Sequence, residues 1–245
     1  MVRTHAAALA AAVIGLSGTL ARADVALLGS AKDNTLYEST TGALSNGAGS
    51  GMFAGLTGQP AKRRALVAFD LSTIPAGSTI TGVTLTLHMT QGSAAAFPIS
   101  LHRATSTWGE GTSNANAGPG GGGGGAPAAT GDATWLHRFS PATPWLSAGG
   151  DFGPSSAVSS VAGLGTYTWS TTAMIADVQG WLNGTSVNAG WVILGDESTP
   201  GSAKRFGTRE AAAADRPVLQ VQYSVPAPGA AVPLLAIAAL VRRRR

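Results

Sequence analysis

The sharpest alternation in the chain lies at residues 80–91. Val83, Leu85, Leu87 and Met89 face one way, and Thr84, Thr86, His88 and Thr90 the other. That two-residue period predicts a strand with one buried face, and it puts His88 on the solvated side. The run 64–71 is apolar and β-rich, and the turn residues Pro75, Ala76 and Gly77 follow it. Further short strands are predicted at 35–39, 51–56, 99–103, 133–139, 165–169, 190–195, 204–209 and 217–224. Helical spacing occurs at 171–183, where Met174, Ile175, Val178 and Leu182 share a face. Ser170 or Thr171 can cap that helix and Gly184 can end it. Many short strands at this spacing predict an all-β fold of two packed sheets, with the short helix closing one end or edge. Trp169, Trp181 and Trp191 fall inside these elements and are expected in the core.

Both ends break the pattern. Arg3 and His5 precede an alanine-rich apolar stretch at 6–20, and Ala21 and Ala23 suit a signal-peptidase cut after Ala23. Residues 1–23 are therefore expected to be a signal peptide. At the other end, Pro226 and Pro228 lead into an apolar run at 229–241, and four arginines follow at 242–245. The run is shorter than the roughly 20 residues that span a bilayer. A basic block behind it is the pattern that holds a chain end on the cytoplasmic side. The segment 225–245 resembles the PEP-CTERM type of bacterial sorting tail. That resemblance implies transient membrane contact through the tail, partners in the export and sorting machinery, and delivery to the cell surface or extracellular matrix. A plain hydrophobic C-terminus is the alternative.

Setting the ends aside reverses the charge. The chain has 16 Lys and Arg against 12 Asp and Glu, and Arg3, Arg22 and the arginines 242–245 all lie in the end segments. Residues 24–224 keep 10 basic and 12 acidic residues, a net charge of −2. Nothing there argues for nucleic acid. The one basic cluster, Lys62, Arg63 and Arg64, reads as a strand start with its side chains in solvent. Cysteine is absent, so an exported body must be held by packing or by a metal.

The candidate chemistry is sparse. There is no cysteine nucleophile and no G-x-S-x-G elbow, and His88, His102 and His137 lack metal-ligand spacing. Glu110 and Asp132 flank the glycine-rich run 118–125 and could pair as carboxylates, although turn capping is the commoner use. No Lys and no helix follow that run, so it predicts a flexible loop rather than a phosphate cradle. Glycan binding needs aromatic platforms, and Trp108, Trp135 and Trp145 border the irregular region. Arg205 and Arg209 could contact an acidic sugar, or bridge to Glu210 or Asp70. A structural calcium ion could draw on Asp33, Asn34, Glu38 and Asn46, or on Asp196 and Glu197. No metal site and no cofactor is assigned.

The ordered motifs resemble a known family. They are Asp33-Asn34-Thr35-Leu36-Tyr37-Glu38, Ser45-Asn46-Gly47-Ala48-Gly49, Thr107-Trp108-Gly109-Glu110-Gly111 and Gly131-Asp132-Ala133-Thr134-Trp135. Lys204-Arg205-Phe206-Gly207-Thr208-Arg209-Glu210 and the terminal strand at 216–223 follow. Together they resemble DNRLRE-type domains, which are similar to carbohydrate-binding module family 96 and disaggregatase-related domains. The likeness runs over 33–223, and Gly207 departs from it at a position where the pattern has a more polar residue. It implies a jelly-roll-like β-sandwich with one short helix, usually an appendage of surface proteins and sometimes a polysaccharide-binding module. The expectation is an exported non-catalytic module that binds extracellular polysaccharide. A purely structural envelope protein is the alternative, and a polysaccharide-degrading enzyme ranks third.

Overall fold

The computed structural model describes residues 22–226. The expected signal peptide and sorting tail lie outside the described residues apart from their inner ends. The first strands are β1 (Arg22–Tyr37), β2 (Leu44–Ser45), β3 (Gly51–Leu56), β4 (Lys62–Phe69), β5 (Thr79–Gln91) and β6 (Phe97–Ala104). Short pairs follow, with β2 joined to β7 (Ala126–Pro127), and β8 (His137–Phe139) to β9 (Thr143–Pro144). Then come β10 (Phe152–Val161), β11 (Gly165–Trp169), helix α1 (Thr172–Leu182), β12 (Trp191–Leu194), β13 (Lys204–Gly207) and β14 (Val218–Val225). The sheets are antiparallel and the fold is all-β.

The sandwich differs from a plain jelly roll because six of its strands close into a ring. Strands β1, β14, β5, β13, β3 and β4 pair in that order, and β4 pairs back to β1. Two strands turn the corners. β1 hydrogen-bonds to β14 and, from Ser30 onward, to β4, with a register break between Ser30 and Lys32. β3 pairs with β13 through Gly51 to Ala54 and with β4 at Gly55 and Leu56. Gly55 makes that bend at φ +121°, where a Cβ would meet the Ala203 Cα at 2.8 Å. Beyond the ring, β12, β6 and β10 extend from β4, and β11 lies beside β5.

The alternation read at 80–91 is seen in β5, where Ile80, Val83, Leu85, Leu87 and Met89 are buried. A register break opposite Gln222 and Tyr223 restores Ile80 to the inner face. The inner faces of both sheets share one core, with Met52, Val67, Leu85, Ile193 and Phe206 among its residues. Helix α1 packs against β5 and β10, one strand from each sheet, and buries Met174, Val178 and Trp181. Thr171 caps it, its side chain accepting from the Met174 N–H at 3.2 Å. Gln179 also ties it to β5, accepting from the Ile80 N–H at 2.8 Å.

A second core lies on the outer face of the β4–β12 sheet. There Leu36, Leu66, Ala68 and Val192 pack against Trp108, Ala133, Trp135 and Trp145 from the largely irregular segment 105–151. That segment is a cover, and only 137–139 of the strand expected at 133–139 is extended. Besides the two-residue strands β2, β7 and β9, two longer stretches of strand were not foreseen. The first half of β1 turns Val25 and Leu27 outward, at 59% and 69% exposure, and β10 is rich in serine with little apolar alternation.

Candidate functional site

The burial of the three loop tryptophans removes them as a stacking platform. Trp108, Trp135 and Trp145 are 1%, 7% and 5% exposed. The Trp108 indole N–H donates to the Ala189 carbonyl at 2.9 Å, and the Trp145 indole N–H to the Thr134 carbonyl at 2.8 Å. Trp135 lies under the Arg64 guanidinium, 4.9 Å from its ring centre. The physical reason is the exposed outer face of β4 and β12, which is apolar and has to be covered. Trp169, Trp181 and Trp191 are buried in the main core as expected.

Arg205 has a different setting. It lines a groove of about 550 Å³ between the outer face of β3 and β13 and the glycine run. Phe53 and Ala203 are among the floor residues, and Arg63, Arg205, Gln91 and Gly123 stand around them. The glycine run, expected as a flexible loop, includes a single 3-10 turn at Pro119–Gly122 seated on Tyr37. The Tyr37 hydroxyl donates to the Gly122 carbonyl at 2.7 Å. Arg63 donates through Nε to the Gly123 carbonyl, and Arg205 through Nε to the Gly121 carbonyl, at 3.0 and 3.2 Å. Arg205 further donates to the Thr90 and Ser50 hydroxyls. Gly51 permits this placement, since a Cβ there would stand 2.1 Å from the Arg205 Nε.

The positive charge of the groove has no directly paired carboxylate, and Glu38 and Asp215 act on Arg63 and Arg205 only at longer range. Among the described residues, neither Arg63 nor Arg205 has a carboxylate within 4.0 Å. Loss of hydration lowers the pKa of both guanidinium groups. Burial raises the Tyr37 pKa beyond its usual range, so the neighbouring phenol stays neutral and offers no counter-charge. Each guanidinium has five N–H donors, so both keep donors beyond those already used. The expectation that 62–64 project into solvent fails here. Arg63 is 8% exposed and stacks over Tyr37 at 4.8 Å, while Arg64 forms a two-point pair with Glu197 at 2.6 and 2.9 Å.

Arg209 turns elsewhere and acts as a bridge. Its Nε lies 2.7 Å from Glu110 Oε1 and 2.8 Å from Glu210 Oε1, and its Nη2 donates to Glu110 Oε2. Glu110 and Asp132 do not share a task. Asp132 accepts from the Thr112 and Ala129 N–H groups and fixes turns of the cover, while Glu110 faces Arg209 and the Asp33 N–H. The sequence-local oxygen groups also disperse. Asn34 binds Ser45, Asn46 and the Glu110 carbonyl, Asn46 binds Ala115 and Gly51, and Glu38 binds the Lys62 N–H. Asp196 caps its own turn through Ser198.

The sequence points to Arg205 in the groove but not to Arg63. For the cover and its buried tryptophans the signal available was the unbroken apolar run from Ala65 to Phe69, which has no polar face and needs layers on both sides. No family model matches the chain, and no match to a curated protein is found.

Proposed function

We propose that this protein is an exported, non-catalytic module of the cell surface or extracellular matrix that binds an acidic polysaccharide in the Arg63–Arg205 groove. The observation that carries the reading is a pair of guanidinium groups, Arg63 buried and Arg205 partly buried, with no carboxylate within ion-pair distance, set around an open groove of about 550 Å³. Such groups hold carboxylate or sulfate through charge-assisted hydrogen bonds. Thr57, Gln59, Gln91 and Ser93 also line the groove and offer hydrogen-bond partners for sugar hydroxyls. The export reading rests on the signal-like segment 1–23 and the PEP-CTERM-like segment 225–245. We also read the body as a DNRLRE-type domain. The motif residues Asp33, Asn34, Ser45, Glu110, Ala133 and Arg209 support this, because they meet at one hydrogen-bonded hub.

Binding is tested by calorimetry with a polyuronate, a sulfated glycan and a neutral glucan. The acidic polymers are expected to bind, more weakly as salt rises. Arg205→Gln and Arg63→Gln should each weaken binding about tenfold or more, in keeping with charged hydrogen bonds. Equal binding of neutral and acidic polymers, or full affinity in both variants, overturns the reading. A second reading, a structural envelope protein without a ligand, draws on the inward-turned tryptophans and on Arg209, all of which serve the fold itself. Absence of binding to every polymer favours it.

A further inference from the structure

Beside the register break of β1, three carboxylates from distant parts of the chain meet. They belong to Asp33 on β1, Glu110 in the cover and Glu210 after β13, and one oxygen of each lies within 4.8 Å of the others. Asp33 is 0% exposed. Its Oδ2 accepts from the Ser30 hydroxyl at 3.1 Å and the Arg209 N–H at 2.9 Å. Its Oδ1 is buried without a hydrogen-bond partner, and so is Glu210 Oε2. Two buried carboxylate oxygens with no donor, in one cluster of three carboxylates, are unusual enough to need a ligand or a proton.

The charges say which ligand fits. Three carboxylates bring three negative charges and Arg209 returns one positive charge. Lys32 donates to the Trp108 carbonyl and lies 4.2 Å from the Trp108 ring centre, and it acts on Glu110 only through longer-range charge. The cluster stays net negative with Arg209 paired and Lys32 nearby, which suits a bound cation. The donors are hard oxygens, and their spread across three separate segments suits the adaptable coordination of calcium better than the strict octahedron of magnesium. Access is open on one side, because the Arg209 and Glu210 side chains are 45% and 25% exposed.

We propose that Asp33, Glu110 and Glu210 bind one calcium ion, which ties the corner of β1 to the cover and to the connection between β13 and β14. The site is independent of the arginine groove. Carbonyl oxygens and water complete the shell, as in other calcium sites built on few carboxylates.

The test uses the purified protein, treated with chelator and then titrated with calcium chloride. Calorimetry is expected to give one calcium per chain, and the melting temperature should rise with calcium and fall back with chelator. Asp33→Asn should abolish binding. Glu210→Gln, at a partly exposed position, should keep the fold and weaken calcium about tenfold or more. No heat and no melting shift at millimolar calcium overturns the proposal, as does unchanged affinity in Glu210→Gln.

Discussion

Asp33 concentrates more opposing physics than any other side chain described. Burial raises its carboxyl pKa from 3.8 to about 7; the Arg209 N–H and Ser30 hydroxyl pull it down, and the charges of Glu210 and Glu110 push it up again. A carboxylate raised on folding holds its proton in the native state after the unfolded chain has lost it. Its contribution to stability is thus fully present below the unfolded value and is lost as pH climbs through about 7. In chelator, the urea midpoint is expected to fall between about pH 4 and pH 7, and Asp33→Asn should flatten that slope. A midpoint that rises over the same window contradicts this account. At the residue scale, the sequence told more about Arg205 than about Asp33. Arg205 sits on a strand whose alternation can be read, with Lys204 and Phe206 turned in on either side. Asp33 acquires its partners from positions 110 and 210, and no local pattern encodes that meeting.

At the scale of elements, periodicity served where one face met the core and the other met water. β11 runs over the span the sequence predicts, α1 lies within its predicted span and β5 begins one residue early; β3 also matches its span, although all six of its residues are buried. It served less well for strands covered on both sides. The run from Ala65 to Phe69 belongs to two cores at once, with Ala65, Val67 and Phe69 in one and Leu66 and Ala68 in the other. The tryptophans of 105–151 complete the second core, although their glycine-rich setting suggested a binding surface. Trp108→Ala should therefore destabilise the fold by about 3–5 kcal/mol, the usual cost of emptying a buried aromatic site. Chemical denaturation measures it, and a change below about 1 kcal/mol would mean the cover is not a packed layer. β10 escaped notice because its pairing to β6 depends on backbone hydrogen bonds more than on apolar side chains.

For the whole molecule, the all-β class was legible and the closure was not. Closure depends on one strand long enough to serve two neighbours and on a glycine bend in another, and neither leaves a periodic trace. The irregular cover is tied to the ring by buried side chains: Asn46 accepts from the Ala115 N–H, Asn34 donates to the Glu110 carbonyl, and the Gly109 carbonyl holds the Ala133 N–H within the cover. Segments 105–117 and 126–151 should accordingly resist limited proteolysis as long as the sheets persist. Early cuts there, before any loss of the β-sheet circular dichroism signal, count against that unity.

The ring also decides how copies of the protein meet one another at high local concentration. A closed circuit of six strands leaves no end strand of its own, so in the main sheet the end positions belong to β10 and β11, and the remaining margins are those of the two- and three-residue strands β2, β7, β8 and β9. β11 is five residues long. β10 carries Pro154 and two register breaks. A short margin and a kinked, proline-bearing one are poor templates for a neighbouring strand. Crowded into a layer, such molecules stay separate solutes instead of seeding fibres, and any association between them has to run through side chains.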